Sequence, residues 1–393
     1  MTVPKLRFKE FINDWKITSL GSEIGISSAS RVLKEQWRAS GVPFFRTSDV
    51  ISIFKSEENQ KVFISYDLFE TLSNKSGRIK KGDLLITGGG SIGIPYLKKD
   101  NSPLYFKDAD LLWLKSSEKI NGEFLYNFFQ SQSFKVYLKS ISHTGTISHF
   151  TIEQAKTTPI NLPSKEEQTK IANFLTTVDK KISQLNEQHQ LMIQYKKGMM
   201  QKIFSQEIRF KDDNGEEFGE WQNIQIKDIF SVTRGQVLSV SQTLEYKDDI
   251  YQYPVYSSQT KNKGLLGYYS DYLYQDAITW TTDGANAGEV NFRKGKFYCT
   301  NVCGVLLSNK GYANSCVSEI LNSIAKRYVS YVGNPKLMNN VMSEILINIP
   351  SDLREQTKIS DFLTKLDSKI ENLSSQLEQV KKWKKGLLQQ MFV

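Results

Sequence analysis

The chain has 393 residues, 39% of them hydrophobic and 24% charged, with a formal net charge of +9. That length exceeds one ordinary core and implies roughly two to four domains. No apolar run approaches the roughly 20 residues that cross a bilayer, and the N-terminal MTVPKLRFKEF lacks the apolar stretch of a secretory signal, so a cytoplasmic protein with no membrane partner is expected.

In chain order, the β-branched and aromatic run at 62–66 reads as a strand. Residues 81–87 run into a glycine-rich loop ending at Gly93, and 123–139 reads as a helix. Pro163 then precedes a long proline-free segment whose Ser164 and Glu167 have capping-box spacing. In the second half, Ala277, Ile278, Thr279 and Trp280 read as a strand entering a loop that ends at Gly288. Residues 317–332 read as a helix. Pro350 and the pair Asp352 and Glu355 announce a second long helix in the same way as the first. Cys299, Cys303 and Cys316 share no fourth ligand at zinc-site spacing. Buried thiols are therefore expected, and no metal.

The two long helices repeat one another. QTKIANFLTTVDKKI at 168–182 returns as QTKISDFLTKLDSKI at 356–370. A shift of 188 aligns 166–204 with 354–392 without a gap, and 18 of the 39 pairs are identical. Steps of four and three pass through Ile171, Leu175, Val178, Ile182 and Leu185 in the first copy. In the second they pass through Ile359, Leu363, Leu366, Ile370 and Leu373. This is the seam of a coiled coil. His189, Lys196 and Lys384 interrupt it, and the two lysines are expected to mark where the helices part or a partner protein covers them. Tyr195 with Lys196 and Lys197, and Trp383 with Lys384 and Lys385, then form an aromatic and basic docking surface.

Fainter echoes precede each helix. Leu6-Arg7-Phe8-Lys9 with Trp15 returns as Ile208-Arg209-Phe210-Lys211 with Trp221. The expected class is α/β: two α/β domains alternating with two long helices, paired as an antiparallel coiled coil in a pseudo-two-fold internal repeat. The boundaries read as domain 1–163, spacer helix 164–205, domain 206–350 and spacer helix 351–393. An antiparallel pair would put the domains at opposite ends, a caliper suited to a duplex that presents its groove once per turn.

This arrangement resembles the specificity subunit of type I restriction–modification systems. The resemblance rests on Pro4-Lys5-Leu6-Arg7-Phe8 with Trp15. It rests equally on Leu162-Pro163-Ser164 followed by Glu167, Gln168, Ile171, Phe174, Leu175, Asp179 and Ile182, with a second copy through Glu355, Gln356, Phe362, Leu363, Asp367 and Ile370. It implies that each domain reads one half of a split sequence in double-stranded DNA and that the helices set the spacer. It also implies two modification subunits that bind S-adenosylmethionine and methylate adenine N6, and two restriction subunits that use ATP and Mg for cleavage. The chain itself would hold no cofactor and perform no catalysis. Its own motifs agree, since Gly88-Gly89-Gly90-Ser91-Ile92-Gly93 lacks the Gly-Lys-Ser/Thr ending of a phosphate loop. The rival reading is a coiled-coil scaffold that separates two protein-binding domains and never touches DNA.

Base edges are read by Arg, Lys, Asn, Gln, Ser and Thr, and phosphates by Lys, Arg and backbone amides. In the first domain this singles out Arg46, Thr47 and Ser48, then Thr87, Gly89 and Ser91, then His143 and Thr144. Arg46 has an alternative as a salt bridge to Asp49. In the second domain it singles out Ser258, Gln259 and Lys261, with Thr281 and Asn286 by the second glycine loop, and Arg234 and Arg293 as phosphate contacts.

Overall fold

The computed structural model describes residues 3–141, 149–259 and 261–393, and the chain divides into two compact units. One comprises Met1–Glu187 with Ser374–Val393, and the other Gln188–Leu373. Both cut through the long helices.

The first half runs β1 (Lys16–Ser19), α1 (Leu20–Glu23), β2 (Ile26–Ser27), β3 (Val42–Phe45), α2 (Thr47–Lys55), β4 (Phe63–Ile64) and α3 (Tyr66–Ser76). It continues with β5 (Leu84–Thr87), β6 (Pro95–Leu97), β7 (Tyr105–Phe106), β8 (Leu111–Leu114), α4 (Gly122–Phe128), α5 (Gln132–Ser140) and α6 (Ile152–Thr157). β9 (Pro159–Leu162) and the long α7 (Lys165–Phe204) close it. The second half runs β10 (Trp221–Gln225), α8 (Ile226–Ile229), β11 (Ser231–Arg234), β12 (Tyr253–Tyr256), β13 (Leu265–Tyr269) and β14 (Tyr274–Thr281). β15 (Val290–Cys299), β16 (Cys303–Leu307), α9 (Ser315–Ala325), α10 (Asn339–Glu344), β17 (Leu346–Pro350) and α11 (Leu353–Met391) complete the chain.

The two halves share a strand order that their sequences do not display. The second half forms one six-stranded sheet, β11-β16-β14-β15-β12-β13. The first half forms β2-β8-β5-β6 and β4-β3-β7. If β6 and β7 are two pieces of the counterpart of β15, the orders coincide. Even the single parallel pairing recurs, β3 with β7 and β12 with β15. The break has a local cause. Lys98 pairs with Asp100 and donates to Ser102 Oγ at 2.8 Å, turning the chain just before Pro103, which has no N–H for a ladder bond. The first half also inserts α2 and α3 between strands that a single loop joins in the second.

Several local expectations change. The strand expected at 62–66 is only Phe63–Ile64, because Ser65 caps α3 by accepting from the Leu68 N–H at 3.3 Å. The helix expected at 123–139 is two, since Ser131 starts a new cap on the Phe134 N–H. Phe129 and Phe134 then meet edge-on at 4.6 Å across the break. The helix expected at 317–332 stops at Ala325 and ends in a 3-10 turn, Lys326–Tyr328.

Both long helices form where expected, and they run antiparallel, with Asp179 facing Lys384 and Lys196 facing Asp367. Their seam does two jobs. Ile171, Leu175 and Val178 join the first domain's core around Trp15, Phe124 and Phe128, together with Leu387, Leu388 and Met391 from α11. Ile359 and Leu363 join the second core around Trp280, Leu306 and Leu321, together with Ile203 from α7. Leu185 and Leu366 are buried, while Ile182, Ile370 and Leu373 are half-buried. Each such aliphatic side chain contributes about 1.5–3 kcal/mol when fully buried.

Candidate nucleic-acid interface

Each domain is tied to the start of its helix by the same three side chains. β1 pairs antiparallel with β9, and β10 with β17, which brings the first strand of each half beside the start of its long helix. There Arg7 donates to both carboxylate oxygens of Glu167 at 2.7 and 2.8 Å, and Trp15 Nε1 donates to the same carboxylate at 3.3 Å. Arg209, Glu355 and Trp221 repeat this at 3.2, 2.9 and 3.3 Å. The first capping box is therefore half made, and in the second Asp352 accepts from the Arg354 N–H at 2.7 Å and not from the Glu355 N–H. Ser164 Oγ accepts from the Glu167 N–H at 3.3 Å, but the Glu167 and Glu355 carboxylates turn inward to arginine and tryptophan instead of back to the cap. Gln168 and Gln356 complete the joint by donating to the Pro163 and Pro350 carbonyls at 3.0 and 2.8 Å. The Arg-Phe, Trp and Glu-Gln signatures of the sequence are one clamp, seen twice.

Lys196 and Lys384 correct an expectation. They do not mark a parting of the helices; each is paired within the chain. Lys196 Nζ lies 2.8 Å from Asp367 and 2.8 Å from Glu319, and Lys384 lies 2.7 Å from Asp179 and 3.2 Å from Gln130. Burial alone would push the Lys196 ammonium down, but Glu319 and Asp367 outweigh it and hold the group above its ordinary range. Each lysine thus meets, on the opposite helix, the aspartate of the repeated motif. Tyr195, Lys197, Trp383 and Lys385 remain exposed, with the Trp383 ring edge-on to Phe174 at 6.1 Å.

The first domain gathers two of the three regions singled out from its sequence. Arg46, Thr47 and Ser48 at the start of α2 line a cleft of about 350 Å³ with Gly89 and Gly90 from the glycine loop. Trp37, Lys107 and Asp110, none singled out beforehand, complete it. The backbone builds it: Lys107 N–H donates to the Phe45 carbonyl at 2.8 Å, and Gly88 N–H to the Asp110 carbonyl at 2.8 Å. A Cβ on Gly88 would lie 2.7 Å from the Phe150 carbonyl oxygen, so only glycine allows this approach.

Two residues in this region are committed elsewhere. Arg46 takes its salt-bridge alternative, donating to Asp49 at 2.8 and 3.1 Å and to the Gln60 carbonyl at 2.6 Å, so its guanidinium is not free for a base or phosphate. Hydrogen bonding to Asp49 also holds it above its ordinary range. Thr87 is buried; its hydroxyl donates to the Ser91 carbonyl and accepts from the Ile94 N–H at 2.9 Å, so it shapes the loop. Gly89 is buried as well, whereas Gly90 and Ser91 are exposed. His143 and Thr144 lie outside the described residues.

In the second domain the loops after β12, β14 and β15 adjoin. Asn286 donates to the Ser258 carbonyl at 2.9 Å, Thr300 Oγ1 to Ser257 Oγ at 2.9 Å, and Arg234 to the Asn301 carbonyl at 2.5 Å. Gln259 donates to the Leu265 carbonyl, and Asn262 and Lys263 beyond it take left-handed backbone, with φ of 51° and 52°. Thr281, the counterpart of Thr87, is buried at the root of its loop.

Arg293 corrects another expectation. It is 8% exposed, stacks 3.7 Å over the Tyr256 ring and donates to Thr279 Oγ1 at 3.0 Å and to the Lys263 carbonyl at 2.7 Å. Burial lowers its pKa from the ordinary value. It holds the backbone at Lys263 from within, so its guanidinium is not free for a phosphate. A sequence window cannot separate such an arginine from a surface one, because its partners lie 14 and 30 positions away.

The thiols of Cys299, Cys303 and Cys316 are free and buried. Burial pushes all three up, Cys303 to about 11. Among the described residues no group of three or more His, Cys, Asp or Glu is placed to hold a metal ion. The native chain is expected to show almost no reaction with a thiol reagent at about pH 8, and three reactive thiols once unfolded. A fast-reacting native thiol would contradict this burial.

A family model for the type I restriction modification DNA specificity domain matches residues 12–194 and 219–382. The chain belongs to this family. Its role is therefore DNA sequence specificity in a type I restriction–modification system, as a non-catalytic component. A putative type I specificity subunit of Mycoplasma pneumoniae is 30% identical over 256 residues, which cover 62% of this chain and 90% of that one. The specificity subunit of a type I restriction enzyme from the same organism is 36% identical over 146 residues, 36% of this chain and 43% of that one. Among solved structures, the type I S subunit of M. genitalium has the same fold, with a TM-score of 0.67 at 19% identity, covering 100% of this chain and 99% of that one. No helix among the described residues is long and apolar enough to cross a membrane.

Proposed function

We propose that this specificity subunit reads a split sequence in double-stranded DNA, one half-site per domain, with the paired helices setting the unread spacer. Carrying this reading is the combination of one strand order, built twice, with unlike loops at equivalent places. Residues 46–48 with Gly89 and Gly90 line the cleft of the first domain, and the loops after β12 and β14 form the corresponding region of the second. Equal scaffolds with different loops suit two readers of different sequences.

Two modification subunits would dock on the helices, where Tyr195, Lys197, Trp383 and Lys385 are exposed. Those partners would supply S-adenosylmethionine and methylate adenine N6. Two restriction subunits would add ATP- and Mg-dependent cleavage, in the cytoplasm where the chromosome is reached. Ser48, Gly90 and Ser91 remain the accessible candidates in the first domain, and Ser258, Gln259 and Asn286 in the second.

The test is a methylome. Expressed with its modification subunit in a host that lacks adenine methylation, the chain is expected to produce one split motif with a modified adenine in each half. A purified complex that leaves no new methylation, or a motif that is not split, would overturn the split-site reading.

A further inference from the structure

The cleft of the first domain holds an unmet hydrogen-bonding demand. Five buried side-chain polar atoms among the described residues have no hydrogen-bond partner. Two of them, Trp37 Nε1 and Thr47 Oγ1, belong to residues that line this one cleft. An indole N–H can only donate, and left unpaired it weakens the fold until something accepts from it. The surrounding charge is already balanced. Arg46 is paired with Asp49, and Lys107 lies 2.5 Å from Asp110. A cleft with paired charges and spare neutral hydrogen-bonding groups suits an uncharged polar edge better than a phosphate.

Resting on the reading proposed above, we infer that this cleft takes the edge of a DNA base, with Trp37 Nε1 donating to a base acceptor and Thr47 Oγ1 as a second contact. Trp37 is well held for this. Its ring meets Phe44 at 6.0 Å, and the Arg46 guanidinium lies 5.8 Å from its centroid. Arg46, expected to read a base itself, instead fixes the indole that does so.

The experiment compares methylomes of the wild-type chain, Trp37→Phe and Thr47→Val, each co-expressed with the modification subunit. Trp37→Phe keeps a ring between Phe44 and Arg46 and removes only the donor; Thr47→Val keeps the shape and removes the hydroxyl. In either variant the motif is expected to relax at one base position in one half-site. Methylation of the original site should fall roughly ten- to hundredfold, with the other half-site unchanged. An unchanged motif and extent in both variants would overturn the inference. So would a uniform loss at every site with the motif intact, which marks a backbone contact. Melting midpoints of the purified complexes separate misfolding from lost reading, and Thr47→Val carries the test if Trp37→Phe melts early. A wild-type chain that directs no methylation overturns the specificity reading itself, and this inference with it.

Discussion

Glu167→Ala is expected to lower the unfolding free energy by about 3–5 kcal/mol, the cost of leaving the other half of a buried ion pair uncompensated. The side chains of Arg7 and Glu167 are 11% and 1% exposed. Alanine would strand the Arg7 guanidinium and the Trp15 N–H together, beside a cavity at the foot of α7. Glu167→Gln should cost less, because one carboxamide oxygen can still accept. Urea unfolding with matched m-values measures both. A loss below about 1 kcal/mol for alanine would mean that water replaces the carboxylate at little cost and that the clamp is incidental. Glu355→Ala should follow in the same direction by a smaller amount, since Arg209 is 22% exposed and better solvated.

The second large effect is expected at the lysine inside the seam. Lys196→Glu would set three carboxylates together, because Asp367 and Glu319 both lie 2.8 Å from the native ammonium. Loss of the pair and the new repulsion should destabilise the chain by about 3–5 kcal/mol. Adding Asp367→Lys should recover much of that, with a coupling energy of about 1–3 kcal/mol in the double-mutant cycle. Strictly additive losses would show that the pair is a contact without mutual dependence. The pH dependence has a definite sign. The folded pKa of Lys196 is raised above its ordinary 10.5, so its contribution is present in full below that value and is lost only as pH rises through the folded one. Between about pH 6 and 9 the native pair should therefore contribute a constant amount.

These two sites show how far local pattern carries. Arg7, Trp15 and Glu167 were visible as letters that recur in both halves, and their recurrence marked them correctly. Their relation was not visible, because Arg7 and Glu167 are 160 positions apart and Glu167 has an equally good local reading as half of a capping box. Lys196 and Lys384 looked like faults in an apolar seam. A heptad pattern shows what faces inward but not whether a counter-charge waits on the opposite helix. The aspartates that satisfy them, Asp367 and Asp179, were themselves part of the repeated motif.

The loops divide in the same way. That 46–48 share one cleft with Gly89 and Gly90 follows from β3 lying parallel to β7 and β5 pairing with β8, pairings between segments separated by roughly 30 to 60 residues. No periodicity encodes those. Trp37 and Lys107 were therefore missed, Arg46 took the salt-bridge alternative its neighbour Asp49 offered, and Arg293 was taken for a free cation when it had partners.

By itself, then, the sequence determined the features that depend on neighbours a few residues apart. These are two long amphipathic helices with prolines and polar caps at their starts, a duplicated plan of domain and helix, and the family to which that plan belongs. The tertiary structure alone decided which charges are spent inside the fold, which loops share a cleft, and that two divergent domains have one strand order. The reason is physical. Helix signals are written at steps of three and four along the chain, whereas the partner of a buried ion or a cleft-lining loop is chosen by chain closure over tens to hundreds of residues.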